Sequence, residues 1–163
     1  MHKVFFSIGG NLGNRPVNLA TAIEEITKKV GPILSVSAIY ETKAWGVENQ
    51  PDFLNQVLVV ATELSAMETL ETVLDIELEM GRVREQKWYA RIIDIDLLFF
   101  DNQIIDSKKL TIPHPFIAKR NFVLAPLAEI APDFIHPILQ KSMKELYEKS
   151  SDPLEVIVVE NRQ

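Results

Sequence analysis

Residues 91–100 read Arg-Ile-Ile-Asp-Ile-Asp-Leu-Leu-Phe-Phe. The run Ile92–Phe100 has the β-branched and aromatic make-up of a strand. Alternate strand residues share a face, so Asp94 and Asp96 point the same way with Cα atoms about 7 Å apart. Regular alternation sets Ile92, Leu98 and Phe100 beside them and Ile93, Ile95, Leu97 and Phe99 on the other face. Both faces are therefore apolar apart from the acids, which are not the wet side of an ordinary amphipathic strand. Two carboxylates so placed can share divalent cations, and paired metals in phosphoryl-transfer sites lie about 3.5–4 Å apart.

Upstream of this strand, Ser65-Ala66-Met67-Glu68 is a capping box, with Leu64 placed as a hydrophobic staple. It starts a helix whose expected buried face is Leu70, Val73, Leu74, Glu77 and Leu78. Phe53–Glu63 and Ile33–Thr42 read as the two preceding strands. Before them, Asn14 caps a helix with Pro16 in its first turn and Leu19, Ile23, Ile26 and Val30 at helical spacing. Gly31-Pro32 stops that helix, and Lys3–Gly9 forms the first strand. The order is β-α-β-β-α-β, the split pattern of ferredoxin-like α+β folds. It implies an antiparallel or mixed sheet with helices on one face, over a core of about residues 3–100. Beyond it, Asp101-Asn102 turns toward a hairpin partner near Ile104-Ile105, with short helices expected near 118–130 and 142–150 and a strand near Leu154–Val159. There is no internal repeat or linker, so residues 1–163 are expected to form one catalytic domain with an extension over about 101–163.

Composition narrows the function classes. A net charge of −6 argues against a nucleic-acid-coating surface. The absence of cysteine excludes disulfides and thiol-based zinc or redox sites and suits a reducing compartment. Met1-His2-Lys3 leads directly into Val4-Phe5-Phe6-Ser7-Ile8, too short a run for a secretory leader, and no apolar stretch is long enough to span a bilayer. The expectation is a cytoplasmic monomer acting on small molecules.

The acid pair asks for cationic neighbours if its ligand is a polyphosphate. Two Mg²⁺ ions offset an ATP charge of about −4, leaving about −2 from the aspartates. Arg82, Arg84 and Arg91 flank the pair, and the planar guanidinium binds phosphate oxygens bidentately. Trp45 and Trp88 lie in two loops, with Phe53, Tyr89 and Phe122 as further aromatics suited to sandwiching a flat heterocycle. Asn55 can donate to and accept from the edge of such a ring. Glu77 interrupts an apolar stripe, so it must pair, change protonation state or line a cavity. His114, between Pro113 and Pro115, is held for phosphate contact or acid–base work. No P-loop, H-E-x-x-H or G-x-S-x-G motif occurs.

Taken in order, Gly9-Gly10-Asn11-Leu12-Gly13, Gln50-Pro51-Asp52-Phe53-Leu54-Asn55, Gly81-Arg82-Val83-Arg84, Trp88, Arg91-Ile92-Ile93-Asp94-Ile95-Asp96 and Pro113-His114-Pro115 resemble the 6-hydroxymethyl-7,8-dihydropterin pyrophosphokinases of folate biosynthesis. The resemblance covers about residues 3–137. It implies transfer of the β,γ-pyrophosphoryl group of ATP to the pterin hydroxymethyl oxygen, with release of AMP. It further implies two Mg²⁺ ions on Asp94 and Asp96, with Arg82 and Arg91 as catalytic phosphate contacts. ATP would also meet Arg84, Leu97, Lys109, Thr111, His114 and Arg120. The pterin would meet Thr42, Lys43, Trp45, Phe53, Asn55, Glu77, Trp88, Asp94 and Phe122. Lys87, Lys109, Tyr89-Ala90 and Leu74 depart from residues found in some relatives, and the tail after about residue 140 is given no role. Rival readings are a metal-dependent phosphohydrolase using the same acids, or a ferredoxin-like binding module indifferent to Mg²⁺.

Overall fold

The computed structural model describes residues 1–43, 51–81 and 92–159. Strand β1 (His2–Gly10) is followed by α1 (Arg15–Lys29), β2 (Ile33–Val36), β3 (Tyr40–Thr42), β4 (Phe53–Thr62), α2 (Ala66–Glu79) and β5 (Asp94–Phe100). The expected βαββαβ order holds, with its second strand divided in two. A main sheet runs β5-β1-β4-β3 and ends on a short strand near the C-terminus (Ile157–Val158), with β2 also pairing β4 and every pairing antiparallel. The fold is ferredoxin-like.

The starts of both long helices follow from their caps. Asn14 Oδ1 accepts from the Val17 amide at 3.2 Å, and Pro16 occupies the first turn of α1. At α2, Ser65 Oγ accepts from Glu68 N at 3.1 Å while Glu68 Oε1 accepts from Ser65 N at 3.0 Å, closing the capping box. The buried side of α2 is Ala66, Thr69, Val73, Ile76 and Glu77, whereas Leu78 is exposed. The helix is thus rotated from the expected Leu70–Leu78 stripe, bringing Ile76 rather than Leu78 to the sheet.

The division of the second strand has a local cause. Ser37 turns its hydroxyl into the ladder, where Oγ accepts from Val57 N at 2.9 Å and donates to Ala38 O at 2.7 Å. Ala38 N is diverted to the Glu129 carboxylate at 3.1 Å, and Tyr40 Oη donates to the same group at 2.6 Å. Two ladder groups therefore bond elsewhere, and pairing resumes only at Tyr40.

A second departure lies in β5. Phe5 pairs with Phe99 and Phe6 with Leu97, so Leu98 is an extra residue on β5. Such a bulge reverses the alternation beyond it. Leu98 and Phe99 consequently face one side of the sheet, while Phe100 joins Ile93, Ile95 and Leu97 on the other. Strict alternation had placed Phe100 with the acids and Phe99 opposite; the bulge exchanges them.

Each sheet face carries its own core. Val4, Phe6, Ile8, Leu58, Val60, Ile95 and Leu97 pack against Leu19, Ala22 and Ile26 of α1 and Val73 and Ile76 of α2. On the opposite face, Phe5, Val57, Val59 and Phe99 meet the 3₁₀ turn Ile117–Lys119, α3 (Asn121–Ile130) and α4 (Met143–Glu148). Phe5 and Phe99 meet edge to face at 5.4 Å, and Phe134 stacks within 5 Å of both at 4.7 and 4.8 Å. A fully buried Phe of this kind contributes about 1.5–3 kcal/mol. The two helices of the βαββαβ core thus lie on one face, as expected, and those of the C-terminal extension pack on the other. The C-terminal additions occupy only part of the second face, and the rest of it is a cavity.

The segment after β5 also differs from expectation. Asp101 turns with φ 51°, but β6 (Ile105–Asp106) pairs with β7 (Thr111–Ile112) as a separate two-stranded unit rather than with β5. Near the C-terminus, β8 (Ile157–Val158) joins the main sheet beside β3, shorter than the expected Leu154–Val159 strand. No helix among the described residues is long and apolar enough to cross a membrane.

Candidate active site

The cavity on the second face holds about 490 Å³, a volume suited to a small organic ligand. Its floor comes from three adjacent strands. Gly9 of β1 pairs with Asn55 of β4 on one side and with Asp94 of β5 on the other, while Ser7 pairs with Asp96. Residues directly opposite in register share a face. Asn55, Gly9 and Asp94 thus form one row across the sheet, with Ser7 and Asp96 in the row behind. All five line the cavity, and Thr42, Lys43 and Phe53 extend the floor on the β3–β4 side.

Gly9 has a steric role. A Cβ built there would lie 2.3 Å from Asn55 Oδ1 and 3.0 Å from Leu54 O, so only glycine leaves the amide its place. Asn55 is buried, and its Nδ2 donates to Thr42 Oγ1 at 3.5 Å. Nearby, Arg15 bridges to Glu41 Oε2 at 2.9 Å and to Asp52 O at 2.7 Å, and Asn11 Nδ2 donates to Pro51 O at 3.0 Å. These bonds fasten the start of β4 to the loop after β1.

The opposite wall is aromatic and cationic. Phe116, Lys119, Arg120 and Phe122 line it, and the Arg120 guanidinium lies 4.9 Å from the Phe116 ring and 5.5 Å from the Phe122 ring. Clasped between two π-faces, the guanidinium is held in place. Among the lining residues, Lys43, Lys119 and Arg120 balance Asp94, Asp96 and Asp152.

Among the described residues, the outer edge of β5 is met by side chains and loop rather than by a strand. Glu77 Oε2 accepts from Ile95 N, the amide between the two aspartates, at 2.7 Å. His114 N donates to Leu98 O at 3.0 Å. His114 Nδ1 accepts from Phe116 N at 3.2 Å, so a proton on the neutral ring sits at Nε2. Burial, then the nearby Arg120 charge, push the His114 imidazole down to about 4, with Asp94 opposing.

Of the residues expected from sequence, Thr42, Lys43, Phe53, Asn55, Asp94, Asp96, Arg120 and Phe122 converge on the cavity. Glu77 does not. It is buried on α2, with its carboxylate at the β5 edge on the Ile95 amide rather than in the cavity lining. The Leu97 side chain packs in the core against α1 and α2, and Lys109 and Thr111 are exposed around β7, outside the lining. Trp45, Arg82, Arg84, Lys87, Trp88, Tyr89, Ala90 and Arg91 lie outside the described residues.

Sequence reasoning missed Ser7, Gly9, Phe116, Lys119 and the wall made by Asp152, Pro153 and Leu154. A signal existed for the first two. Phe5, Ser7 and Gly9 share a face of β1 and shrink along it, as a strand must where it leaves a core and floors a cavity.

The donor set fits magnesium. Among the described residues, no group of three or more His, Cys, Asp or Glu side chains is arranged to hold a metal. Mg²⁺ is commonly bound through one or two carboxylates plus substrate phosphates rather than in an all-protein cage. Asp94 and Asp96 supply such a pair of hard oxygen ligands, open to the cavity.

Comparison with known proteins gives consistent results. The family model described as 7,8-dihydro-6-hydroxymethylpterin-pyrophosphokinase (HPPK) matches residues 5–132. The 2-amino-4-hydroxy-6-hydroxymethyldihydropteridine pyrophosphokinase of Aquifex aeolicus is 43% identical over 145 residues, covering 89% of this chain and 90% of the relative. That of Methylorubrum extorquens is 40% identical over 136 residues, covering 83% and 86%. Among solved structures, wild-type Plasmodium falciparum HPPK-DHPS with SDX-DHP superposes with a TM-score of 0.74 at 18% identity. That likeness, which concerns the fold, covers 91% of this chain and 43% of the longer one.

Proposed function

The chain belongs to the 7,8-dihydro-6-hydroxymethylpterin-pyrophosphokinase family, and from that premise we propose that the cavity above β5, β1 and β4 is its catalytic site. It is an ATP-dependent pyrophosphokinase that transfers pyrophosphate to 6-hydroxymethyl-7,8-dihydropterin in folate biosynthesis. The products are the pterin diphosphate and AMP.

The observation that carries the site is the row Asn55–Gly9–Asp94. It sets a donor–acceptor amide and a carboxylate on one floor. Asn55, with Thr42 beside it, reads the polar edge of the pterin, and Phe53 and Phe122 pack on its ring. Asp94 and Asp96 would hold two Mg²⁺ ions, which when bound would supply charge neutralisation at the ATP phosphates. The pocket residues orient the pterin so that its hydroxymethyl oxygen attacks the β-phosphorus as AMP leaves.

A primary alcohol is a weak nucleophile, so positioning supplies much of the acceleration. The lining cations are matched by lining carboxylates. Excess phosphate charge therefore calls for further arginines, the role assigned to Arg82 and Arg91 with Arg84 in support. Arg120 and neutral His114 stand at the nucleotide side, while Lys109, Thr111 and the Leu97 backbone complete the approach to ATP. Trp45 and Trp88 are assigned to the pterin, and water must be kept from the site because hydrolysis of ATP competes with transfer. The catalyst works as a cytoplasmic monomer.

Product analysis tests this reading. AMP should form only when the pterin is present, and Asp94→Ala should abolish turnover while circular dichroism stays native. ADP, or free phosphate without pterin diphosphate, identifies a phosphohydrolase instead. Ligand binding indifferent to Mg²⁺ and to Asp94→Ala identifies a binding module.

A further inference from the structure

The family match ends at residue 132, yet part of the cavity wall lies beyond it, at Asp152, Pro153 and Leu154. Two anchors hold this segment. At one end, Asp152 Oδ2 accepts from Asn121 N at 2.8 Å, and Asn121 Nδ2 donates back to Asp152 O at 3.2 Å. Asp152 Oδ1 accepts from Leu154 N at 2.9 Å, and Ser150 Oγ accepts from Asp152 N at 3.2 Å, which fixes the carboxylate's direction. At the other end, β8 pairs with Tyr40 and Glu41 of β3, next to Thr42 and Lys43, and Val159 N donates to Ile39 O at 2.8 Å.

Asn121 is the first residue of α3, and Arg120, its N-cap, makes no side-chain cap bond. The remote Asp152 carboxylate takes that place. Its partner stands between Arg120 and Phe122, the two groups of α3's N-terminal end that line the cavity. We propose that Asp152 is a positioning residue for both substrates, holding Arg120 and Phe122 at their places in the wall through the Asn121 backbone. The inference rests on the catalytic site argued above and adds a constraint from the C-terminal segment. Movement of Asn121 displaces its two neighbours together, because Arg120 is also clasped between Phe116 and Phe122.

The test is steady-state kinetics of AMP formation with ATP and hydroxymethyldihydropterin, each varied in turn, well below the melting temperature. In Asp152→Ala, KM should rise about tenfold for each substrate, as loss of about one charged hydrogen bond implies, with kcat within twofold of wild type. Asp152→Asn retains one acceptor oxygen and should recover about half of that change on a logarithmic scale. A purely structural Asp152 would lower the melting temperature and leave both KM values unchanged in the folded protein. That result, a rise in one KM alone, or a loss confined to kcat overturns the proposal. If Asp152→Ala does not fold, Asp152→Asn decides on the same readings, with an expected rise of about threefold. A wild-type chain that forms no AMP refutes the catalytic reading itself, whereas active wild type with unaltered variants refutes this inference alone.

Discussion

At the scale of single residues, the chain separates those whose meaning is local from those whose meaning depends on a distant neighbour. Asp94 and Asp96 were legible because two charges contradict the apolar strand around them. Gly9 was not, because its reason is an amide on another strand, 2.3 Å from where its Cβ would lie. Gly9→Ala should push Asn55 out of line and raise the pterin KM about tenfold, with a smaller effect on ATP, as measured by initial rates. His114 yields a prediction in pH. Its folded value of about 4 lies below the ordinary 6.5, so on acidification the unfolded chain takes the proton first. Stability from this group is intact above pH 6.5 and is lost as pH falls toward 4. The imidazole should titrate near pH 4 by NMR, and His114→Gln should flatten that part of the melting-temperature profile.

At the scale of elements, sequence periodicity gave the order of helices and strands but not how their faces are turned. The α2 stripe was recognised, while its rotation toward Ile76 depends on the surface it packs against. The β5 bulge at Leu98 is invisible locally, since Leu-Leu-Phe-Phe suits either alternation. Glu77 shows both outcomes in one side chain. A carboxylate in an apolar stripe demanded a partner, and it has one in Ile95 N at 2.7 Å; its expected place at the pterin does not follow from that. Glu77→Ala should leave this edge amide buried without that acceptor and cost about 1–3 kcal/mol in denaturant unfolding. Because the amide lies between the two acids, the variant should also need more Mg²⁺ for half-maximal rate.

At the scale of the molecule, one sheet carries a stabilising core on its first face and divides the second between α3–α4 packing and the cavity. The βαββαβ frame was readable from the first hundred residues, because caps and periodicity are local signals. Asp152 and the wall beside it were not readable, since a short polar segment reveals nothing of the helix it will cap. Substrates that join the two sides of the cavity should stabilise the whole fold. Saturation with MgATP and a non-reactive pterin, each at about 100 times its Kd, should add about 2.7 kcal/mol per ligand, or about 5–10 °C in Tm for each. EDTA should remove the Mg²⁺-dependent share in a thermal-shift measurement. The row through Gly9 has one more consequence. Asn55 and Asp94 flank a single strand, so their backbones stand two ladder spacings apart, about 9–10 Å. The sheet thus acts as a gauge between the reader of the ring edge and the holder of the metal. Side-chain changes in the walls can retune affinity, but a ring system of different length would require the strands themselves to be re-registered.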